Sequence, residues 1–283
     1  MSDFVQQQNS VCDFGSSDSW VVLSPIEQSI KRKIEAVGTP LKDWDIQINY
    51  GIKTGCNEAF IINTAKRNEI LANCQTEEER KRTAELIRPI LRGRDIKRYG
   101  YEWAELWLIA TFPSLHYSID EYPAVKQYLL SFGIERLEQT GKTHIVNGEK
   151  VKARKKTHNK WFETQDSISY WEDFSKPKIV WNRIAAIKQF AKVDESVYIQ
   201  DSMHFIIGEK LNYICSVLNS KTIQWLLSTI IGEAAGGNAG NADNIGNIPV
   251  PFVSSDKSIS DNYLYKKYEL TKEEIAFIEN RED

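Results

Sequence analysis

The stretch KIVWNRIAAIKQFAKVDESVYIQDSMHFII, residues 178–207, decides the fold. It alternates short runs rich in Val, Ile, Tyr and Phe with polar breaks, which is typical of successive β-strands. The runs predict strands over residues 178–182, 187–193, 197–200 and 203–207. Residues 210–231 then have helical apolar spacing, with a break near residues 218–220. Neighbouring strands followed by helices, without a regular strand–helix alternation, predict an α+β fold.

The segments before this stretch predict further helices and strands. Ser24 followed by Pro25 predicts a helix N-terminus, and the apolar stripe behind it ends at Gly38. Strand patterns lie at residues 43–50, 59–62, 95–98 and 106–111, and helical patterns lie at residues 64–72, 76–91 and 119–137. Residues 141–160 are basic and poor in apolar side chains, which predicts a mobile loop or a hairpin.

The C-terminal part predicts a loop and then two helices. AAGGNAGNADNIGNIPVP, residues 234–251, is too rich in glycine and asparagine for a helix and predicts a flexible or exposed loop. Residues 260–280 have the pattern of two short helices that meet near Leu270 and Thr271.

The composition indicates a soluble globular protein. Of 283 residues, 41% are hydrophobic and 27% are charged. No apolar run approaches the roughly 20 residues of a membrane-spanning helix, and the first residues do not resemble a secretion signal. Cys12, Cys56, Cys74 and Cys215 lie far apart with no CxxC pair, which favours free thiols in a reducing cytoplasm.

The net charge of −3 hides two basic runs. Residues 80–98 hold eight Lys or Arg against two acidic residues, and residues 148–160 hold six against one. Their combined +11 leaves −14 for the remaining residues. Basic runs are often only solvated faces, but two in one chain favour a surface for a polyanion. The loop 148–160 leads into Trp161 and Phe162, which could anchor it in a groove or simply belong to the core.

Catalytic signatures are absent from the sequence. His116, His144, His158 and His204 are dispersed, with no HExxH motif and no Cys/His spacing for zinc. There is no GxSxG elbow and no P-loop. We therefore expect no catalytic residue and no metal site, and interpret the chain as a binding protein.

The turn GIKTG, residues 51–55, is one candidate for DNA binding. It offers Lys53, the hydroxyl of Thr54, and glycines that allow the backbone to come close to a phosphate. An ordinary turn between two strands is the alternative.

The run LRGRDIKR, residues 91–98, is a second candidate. In an extended conformation Arg92, Arg94 and Arg98 share one face. Arginine is suited to bidentate contacts with a phosphate or with the edge of guanine.

Six segments in this order resemble the TaqI-like C-terminal specificity domain, the target recognition domain of single-chain type II restriction-modification enzymes and adenine-specific DNA methyltransferases. They are GIKTGCNEAFIIN, IRPILRGRDIKRY, WFETQ, KPKIVWNRI, YICSVLNSKTIQWLL and GNIPVP. The segments SPIEQSIKRKIEAVGTPLKDW and LYKKYELTKEEIAFIE also look like the flanks of those domains. The resemblance covers roughly residues 20–280 and rests on the order and spacing of the segments.

The resemblance implies an α+β fold, namely a mixed-sheet target recognition domain with flanking helices and a C-terminal helical segment. It divides the chain into a flexible tail (1–19), a linker helix and first strand (20–50), the DNA target recognition domain (51–252) and a C-terminal helical tail (253–283). The DNA-binding residues that it implies are Lys53, Thr54, Asn57, Arg92, Arg94, Arg98, Lys176 and Lys178, with the motif glycines Gly51, Gly55 and Gly93. Charge alone adds Lys152, Arg154, Lys155, Lys156 and Lys160 from the basic loop.

The implied function is sequence-specific recognition of double-stranded DNA in the bacterial cytoplasm, as part of phage defence. The catalytic motifs of the family are missing: there is no Pro-Pro for (N/D)PP(Y/F) and no Pro-Asp for a nuclease. S-adenosylmethionine and magnesium are therefore expected only in separate methyltransferase and nuclease domains or subunits. Two alternatives stay open: an enzyme with an unrecognised active site, and an interaction subunit that docks on a separate methyltransferase chain.

Overall fold

The computed structural model describes residues 23–231 and 240–280. Its helices are α1 (Pro25–Val37), α2 (Asn57–Phe60), α3 (Thr64–Ala72), α4 (Glu77–Leu86), α5 (Pro123–Leu130), α6 (Ile134–Leu137), α7 (Leu211–Leu218), α8 (Lys221–Trp225), α9 (Ala242–Gly246), α10 (Asp261–Lys267) and α11 (Lys272–Glu279). A π-helix, Leu226–Ile231, continues α8. The strands are β1 (Gly38–Pro40), β2 (Ile46–Tyr50), β3 (Ile61–Asn63), β4 (Ile87–Leu91), β5 (Ile96–Lys97), β6 (Gly100–Tyr101), β7 (Leu106–Ile109), β8 (Thr143–Val146), β9 (Glu149–Lys152), β10 (Lys178–Asn182), β11 (Phe190–Val193), β12 (Tyr198–Ile199), β13 (Met203–Gly208) and β14 (Pro249–Pro251).

A central antiparallel sheet has the strand order β11–β10–β13–β2. Successive side chains in a strand point to opposite faces of the sheet, and both faces of this sheet are covered. Val180 and Phe205 join a first core, whereas Ile179 and Trp181 join a second core on the other face. This explains why β10 and β13 are apolar almost throughout.

The first core lies between the central sheet and a second sheet with the strand order β12–β4–β7–β3. In that sheet β12 pairs in parallel with β4, while β7 is antiparallel to β4 and β3. An isolated parallel bridge joins Ile52 to Gln200, the residue that follows β12. The mixed sheet and the helices around it confirm the predicted α+β fold.

The second core packs helices from both ends of the chain on the central sheet. It combines Ile30 and Ile34 of α1 with Leu264 of α10 and Ile278 of α11. The Ser24 side chain caps α1 as predicted, and Lys33 forms an ion pair with Glu274 at 2.7 Å across this core. The N-terminal helix and the C-terminal helices therefore share one apolar interior.

Several local predictions are confirmed and others are wrong. The strand at residues 178–182, the helix at residues 64–72 and the two C-terminal helices are confirmed. The helix predicted at residues 76–91 ends at Leu86 and becomes β4, which contains Pro89, a residue that a helix interior does not accept.

One further helix, one strand and one loop also differ from the prediction. The helix predicted at residues 119–137 is broken before α6, where Gly133 has a φ of +83°. The predicted strand at residues 59–62 is one helical turn, α2, followed by β3. The loop predicted at residues 234–251 contains α9, which Asn241 caps through its side chain; residues 232–239, like the predicted tail at residues 1–19, lie outside the described part.

The structure bears on two predictions about the cysteines and about membrane-spanning segments. Cys56, Cys74 and Cys215 are free and buried, and Cys12 lies outside the described residues. No helix in the described part of the chain is long and apolar enough to cross a membrane.

Candidate nucleic-acid interface

The parallel pairing brings two distant motifs to one edge of the second sheet. The Gln200 amide donates to the Leu91 carbonyl at 3.0 Å, and the Ile52 amide donates to the Ile199 carbonyl at 2.8 Å. Because parallel segments end at the same edge, the residues after β4 and after Ile52 emerge at one edge, on the two sides of the segment 198–200. Lys53 of the GIKTG turn and the LRGR run therefore lie at the same edge.

Close packing explains two of the motif glycines. A Cβ atom added to Gly51 would lie 2.0 Å from the carbonyl oxygen of Gln200. One added to Gly93 would lie 2.4 Å from the side-chain nitrogen of Asn182. These glycines permit the contact between chain segments, so their presence in the motif has a structural reason.

Within the turn, Lys53 and Thr54 have different environments. Lys53 is exposed, and its carbonyl accepts the amide of Gln165 at 3.0 Å. Thr54 is fully buried; its hydroxyl donates to the Asn57 side chain at 2.7 Å and accepts the Cys56 amide at 3.1 Å. The predicted phosphate contact by the Thr54 hydroxyl therefore does not fit this structure, in which the hydroxyl holds the start of α2.

Arg154 is buried and organises the base of the basic loop. Its exposed fraction is 4%, and its guanidinium donates to four carbonyls at 2.7–2.8 Å. These belong to Leu137, Thr54, Glu163 and Trp161. Burial lowers the pKa of Arg154 to about 10. The prediction that Arg154 contacts DNA is not supported, because the guanidinium is buried and directs four of its five N–H groups to carbonyls inside the protein.

The hairpin β8–β9 separates its side chains by face. Asn147 and Gly148 at its tip both have positive φ values, as a type I′ turn requires. One face is half-buried, with His144 2.5 Å from Glu138. The other face is exposed and carries Thr143, Ile145, Lys150 and Lys152. The prediction of a mobile loop or hairpin is thus resolved in favour of a hairpin.

An open cleft of about 450 Å³, here called the basic cleft, joins the hairpin to the GIKTG turn. It is lined by Gly55, Cys56, Asn57, Glu58, Arg136, Lys152, Ala153, Arg154 and Lys155. Arg136 forms an ion pair with Glu58, whereas the side chains of Lys152 and Lys155 have no ion pair or hydrogen bond among the described residues. Asn57, from the segment that begins with the GIKTG turn, thus meets Lys152 and Lys155 of the basic loop in one cleft.

Asp166 is half-buried, and its amide donates to the Lys53 carbonyl at 3.3 Å. Burial raises the pKa of Asp166, and the charges of Lys53 and Lys155 partly oppose that rise. The charges of Lys53 and Lys155 thus both act on one carboxyl group, which indicates that the GIKTG turn and the basic loop lie near each other.

The remaining cations of the basic loop are at the surface. Lys156 and Lys160 are exposed, and the Lys160 ammonium lies 5.5 Å from the centre of the Phe162 ring. Phe162 is buried in the first core and Trp161 packs against it. For these two aromatic residues the core alternative is therefore correct.

The three predicted arginines have separate roles. Arg92 forms an ion pair with Asp95, with Nη2 to Oδ1 at 2.8 Å. Arg94 is exposed and its side chain has no partner among the described residues. Arg98 donates to the carbonyl of Asn219 at 2.6 Å, beside the second core. Arg94 and Arg98 are both exposed, and of the three arginines only Arg94 has a side chain without a partner among the described residues.

Lys176 and Lys178 also differ. Lys176 is exposed, and its pKa is raised by a 2.7 Å contact with Asp173. Lys178 is fully buried and donates to the carbonyls of Phe174, Lys176 and Glu195 at 2.8–3.1 Å. Burial lowers the pKa of Lys178 to about 8. As with Arg154, the predicted contact of Lys178 with DNA is not supported.

Sequence reasoning missed several exposed side chains beside these positions. Lys150 and Ile145 belong to the exposed face of the hairpin, and Arg183 lies near the sheet edge. The two-residue alternation of the hairpin could have found the first two. Among the described residues no cluster of His, Cys, Asp and Glu could hold a metal ion.

The fold and the cleft define an α+β binding domain with a basic surface built from sequence-distant segments. Residues 88–250 match the model of the TaqI-like C-terminal specificity domain. The chain belongs to this family, and the membership supports a role in DNA recognition. A comparison with curated proteins gives no match.

Among the solved structures that resemble this chain are two restriction enzymes. The type IIG restriction endonuclease BpuSI matches 90% of this chain with 12% identity and a TM-score of 0.48. The type IIL restriction-modification enzyme MmeI, solved in complex with DNA, matches 66% with 13% identity and a TM-score of 0.40. The matches cover 28% and 22% of those two chains.

Proposed function

We propose that this chain is the double-stranded DNA recognition module of a restriction-modification system. It would hold a specific sequence so that a methyltransferase domain outside this chain can methylate an adenine. The observation that carries the proposal is the basic cleft, where Gly55 of the GIKTG turn lies beside the free cations Lys152 and Lys155. The chain that forms this cleft belongs to a specificity-domain family. Free lysines at a surface suit phosphate contacts, which supply most of the affinity for DNA.

The hairpin offers a means of reading sequence. The major groove of B-form DNA admits a two-stranded β-ribbon. The exposed face of β8–β9 combines Lys150 and Lys152 with Thr143 and Ile145. Lysine and threonine can hydrogen-bond to base edges, and an aliphatic side chain can contact the methyl group of thymine. Arg154 would fix the base of this ribbon without contacting DNA.

Catalysis would come from elsewhere. The sequence has no (N/D)PP(Y/F) motif, so S-adenosylmethionine would bind to a separate methyltransferase domain or subunit in the same cytoplasm. Cleavage, if the system has it, would need a nuclease domain with its own magnesium ions. Extrusion of the target adenine from the stack would then take place into a pocket of the methyltransferase.

Selection from a randomised duplex library followed by gel shift tests DNA recognition. We expect one enriched sequence. The binding constant should fall as salt is added, and the slope of its log–log plot should become shallower by about 0.9 for each phosphate contact that a substitution removes. Lys152→Ala and Lys155→Ala should each reduce the slope. Lys66→Ala is the matched control, because this lysine on α3 is paired with Glu69 at 2.5 Å, outside the basic cleft. No retained DNA at low salt would refute the proposal.

A second experiment tests the link to methylation. The chain is produced with the product of a neighbouring reading frame that carries (N/D)PP(Y/F), and transfer of labelled methyl groups to the selected duplex is measured. We expect transfer only when both chains are present. Methylation or magnesium-dependent cleavage by this chain alone would instead favour an enzyme with an unrecognised site.

A further inference from the structure

The loop between β10 and β11 exposes two large apolar side chains. Ile184 is 63% exposed and Ile187 is 57% exposed. Single exposed apolar residues are common, whereas neighbouring exposed apolar side chains can mark an interaction site. Nothing in the basic cleft accounts for them.

Hydrogen bonds at its base hold this loop in shape. The Arg183 amide donates to the Ser202 carbonyl at 3.0 Å, and the Ile184 amide donates to the Asn182 side chain at 3.1 Å. Inside the loop the buried ammonium of Lys188 donates to the Ala185 carbonyl. The isoleucines are thus held outward by a pre-organised loop, which lowers the entropy cost of inserting them into a partner.

The loop lies beside the sheet edge that presents the cations. Asn182 at its start is in close contact with Gly93, the residue before Arg94. Arg183 approaches the Asp201 carbonyl at 3.4 Å, on the segment that follows β12. Exposed apolar residues beside the exposed Arg183 fit duplex DNA, because cations bind phosphates while an apolar wedge enters between bases and kinks the helix.

We propose that Ile184 and Ile187 insert between base pairs of the bound duplex and unstack one step. This inference rests on the proposed DNA recognition and adds a deformation of the DNA to it. Because some base steps unstack at a lower energy cost than others, binding would then depend on the sequence at a step that no side chain contacts by hydrogen bonds. It would also lower the cost of removing a neighbouring base from the stack.

The test uses the full chain and the duplex selected from the library, with 2-aminopurine placed at each position in turn. Unstacking raises the fluorescence of this base analogue. We expect a rise at one step with the natural chain and no rise with the double variant Ile184→Ser, Ile187→Ser. Binding should weaken about tenfold while the salt slope is unchanged, because the lysine contacts remain. Ile184→Leu, Ile187→Leu should retain the rise.

Controls separate the possible outcomes. Leu130→Ser, a change of another exposed apolar residue on α5, should keep both the rise and the affinity. A duplex that binds without a rise at any position, or a serine variant that keeps the rise, would overturn the inference and leave DNA recognition intact. Equal DNA binding by the serine variant would assign the isoleucines to a protein contact. Absence of any bound DNA would overturn both proposals.

Discussion

Arg154 and Lys155 are adjacent cations that the structure assigns to different tasks, and replacing each by methionine tests that assignment. Arg154→Met removes a buried guanidinium that donates to four carbonyls. Lys155→Met removes an exposed ammonium that lines the basic cleft. Both changes remove one positive charge, so any difference between them reflects position.

The structure gives a magnitude for the Arg154 change. A hydrogen bond from a charged group contributes about 1.5–3 kcal/mol, but the contributions of one network are not additive. Methionine also avoids the cost of keeping a guanidinium away from water, which offsets part of the loss. The carbonyls left without donors remain buried. We therefore expect the free energy of unfolding to fall by about 3 kcal/mol.

Urea unfolding of both variants measures this quantity, and gel shifts at several salt concentrations measure DNA binding. Arg154→Met should be destabilised while its folded fraction keeps the full salt slope. Lys155→Met should stay within about 0.5 kcal/mol of the natural stability, and its slope should be reduced by about 0.9. The milder change Arg154→Lys keeps the charge and should fall between the two in stability.

The opposite pattern would refute the reasoning. Suppose that Arg154→Met unfolds at the same urea concentration as the natural chain and that its DNA binding depends less on salt. The guanidinium would then contact DNA, and the four carbonyl contacts would contribute little to stability. Hydrogen exchange in residues 138–160 gives an independent readout, since loss of the contacts should speed exchange in the hairpin first.

Three further predictions follow from buried groups and a turn. Burial lowers the pKa of His204 to about 4, whereas the imidazole of the unfolded chain has a pKa of about 6.5. As the pH falls below 6.5, the imidazole is therefore protonated in the unfolded chain before it is protonated in the native state. Relative to His204→Phe, the free energy of unfolding should fall by about 2 kcal/mol from pH 7 to pH 5. Burial lowers the pKa of Lys178 from 10.5 to about 8. As the pH rises, the ammonium loses its proton in the native state before it does so in the unfolded chain. The free energy of unfolding, relative to Lys178→Met, should therefore rise by about 1 kcal/mol from pH 7 to pH 9. Gly55 has a φ of +76°, and a Cβ there would lie 2.7 Å from the Gln165 side chain, so Gly55→Ala should destabilise the chain by about 1–2 kcal/mol in urea unfolding. Gly148→Ala, at φ +85° with no atom within 4 Å of the added carbon, is the control and should cost less.

Each of these has a contrary result. A stability difference from His204→Phe that does not change between pH 7 and pH 5 would mean that the imidazole reaches water. A constant difference for Lys178→Met from pH 7 to pH 9 would mean the same for its ammonium. Equal losses at the two glycines would show that backbone strain, and not the contact with Gln165, limits the GIKTG turn.

The sequence by itself determined the local elements whose signals lie within a few residues. The capping box at Ser24 and the apolar run of β10 specify their structures through neighbouring hydrogen bonds and side-chain alternation. It also determined that the basic segment 141–160 contains a hairpin or loop, because no apolar stripe was available to bury it. The helix predicted over residues 76–91 failed, because the tertiary pairing of β4 with β7 and β12 overrides helical propensity.

Only the tertiary structure decided which cations are available. Arg154 and Lys155 are indistinguishable by charge and spacing, yet one satisfies carbonyls from three separate segments and the other remains in solvent. The meeting of the GIKTG turn with the LRGR run likewise depends on parallel pairing through β12, more than 100 residues away in the chain. Burial and strand pairing depend on contacts between distant residues, and the free energy of desolvating a charge depends on those contacts rather than on its neighbours in sequence.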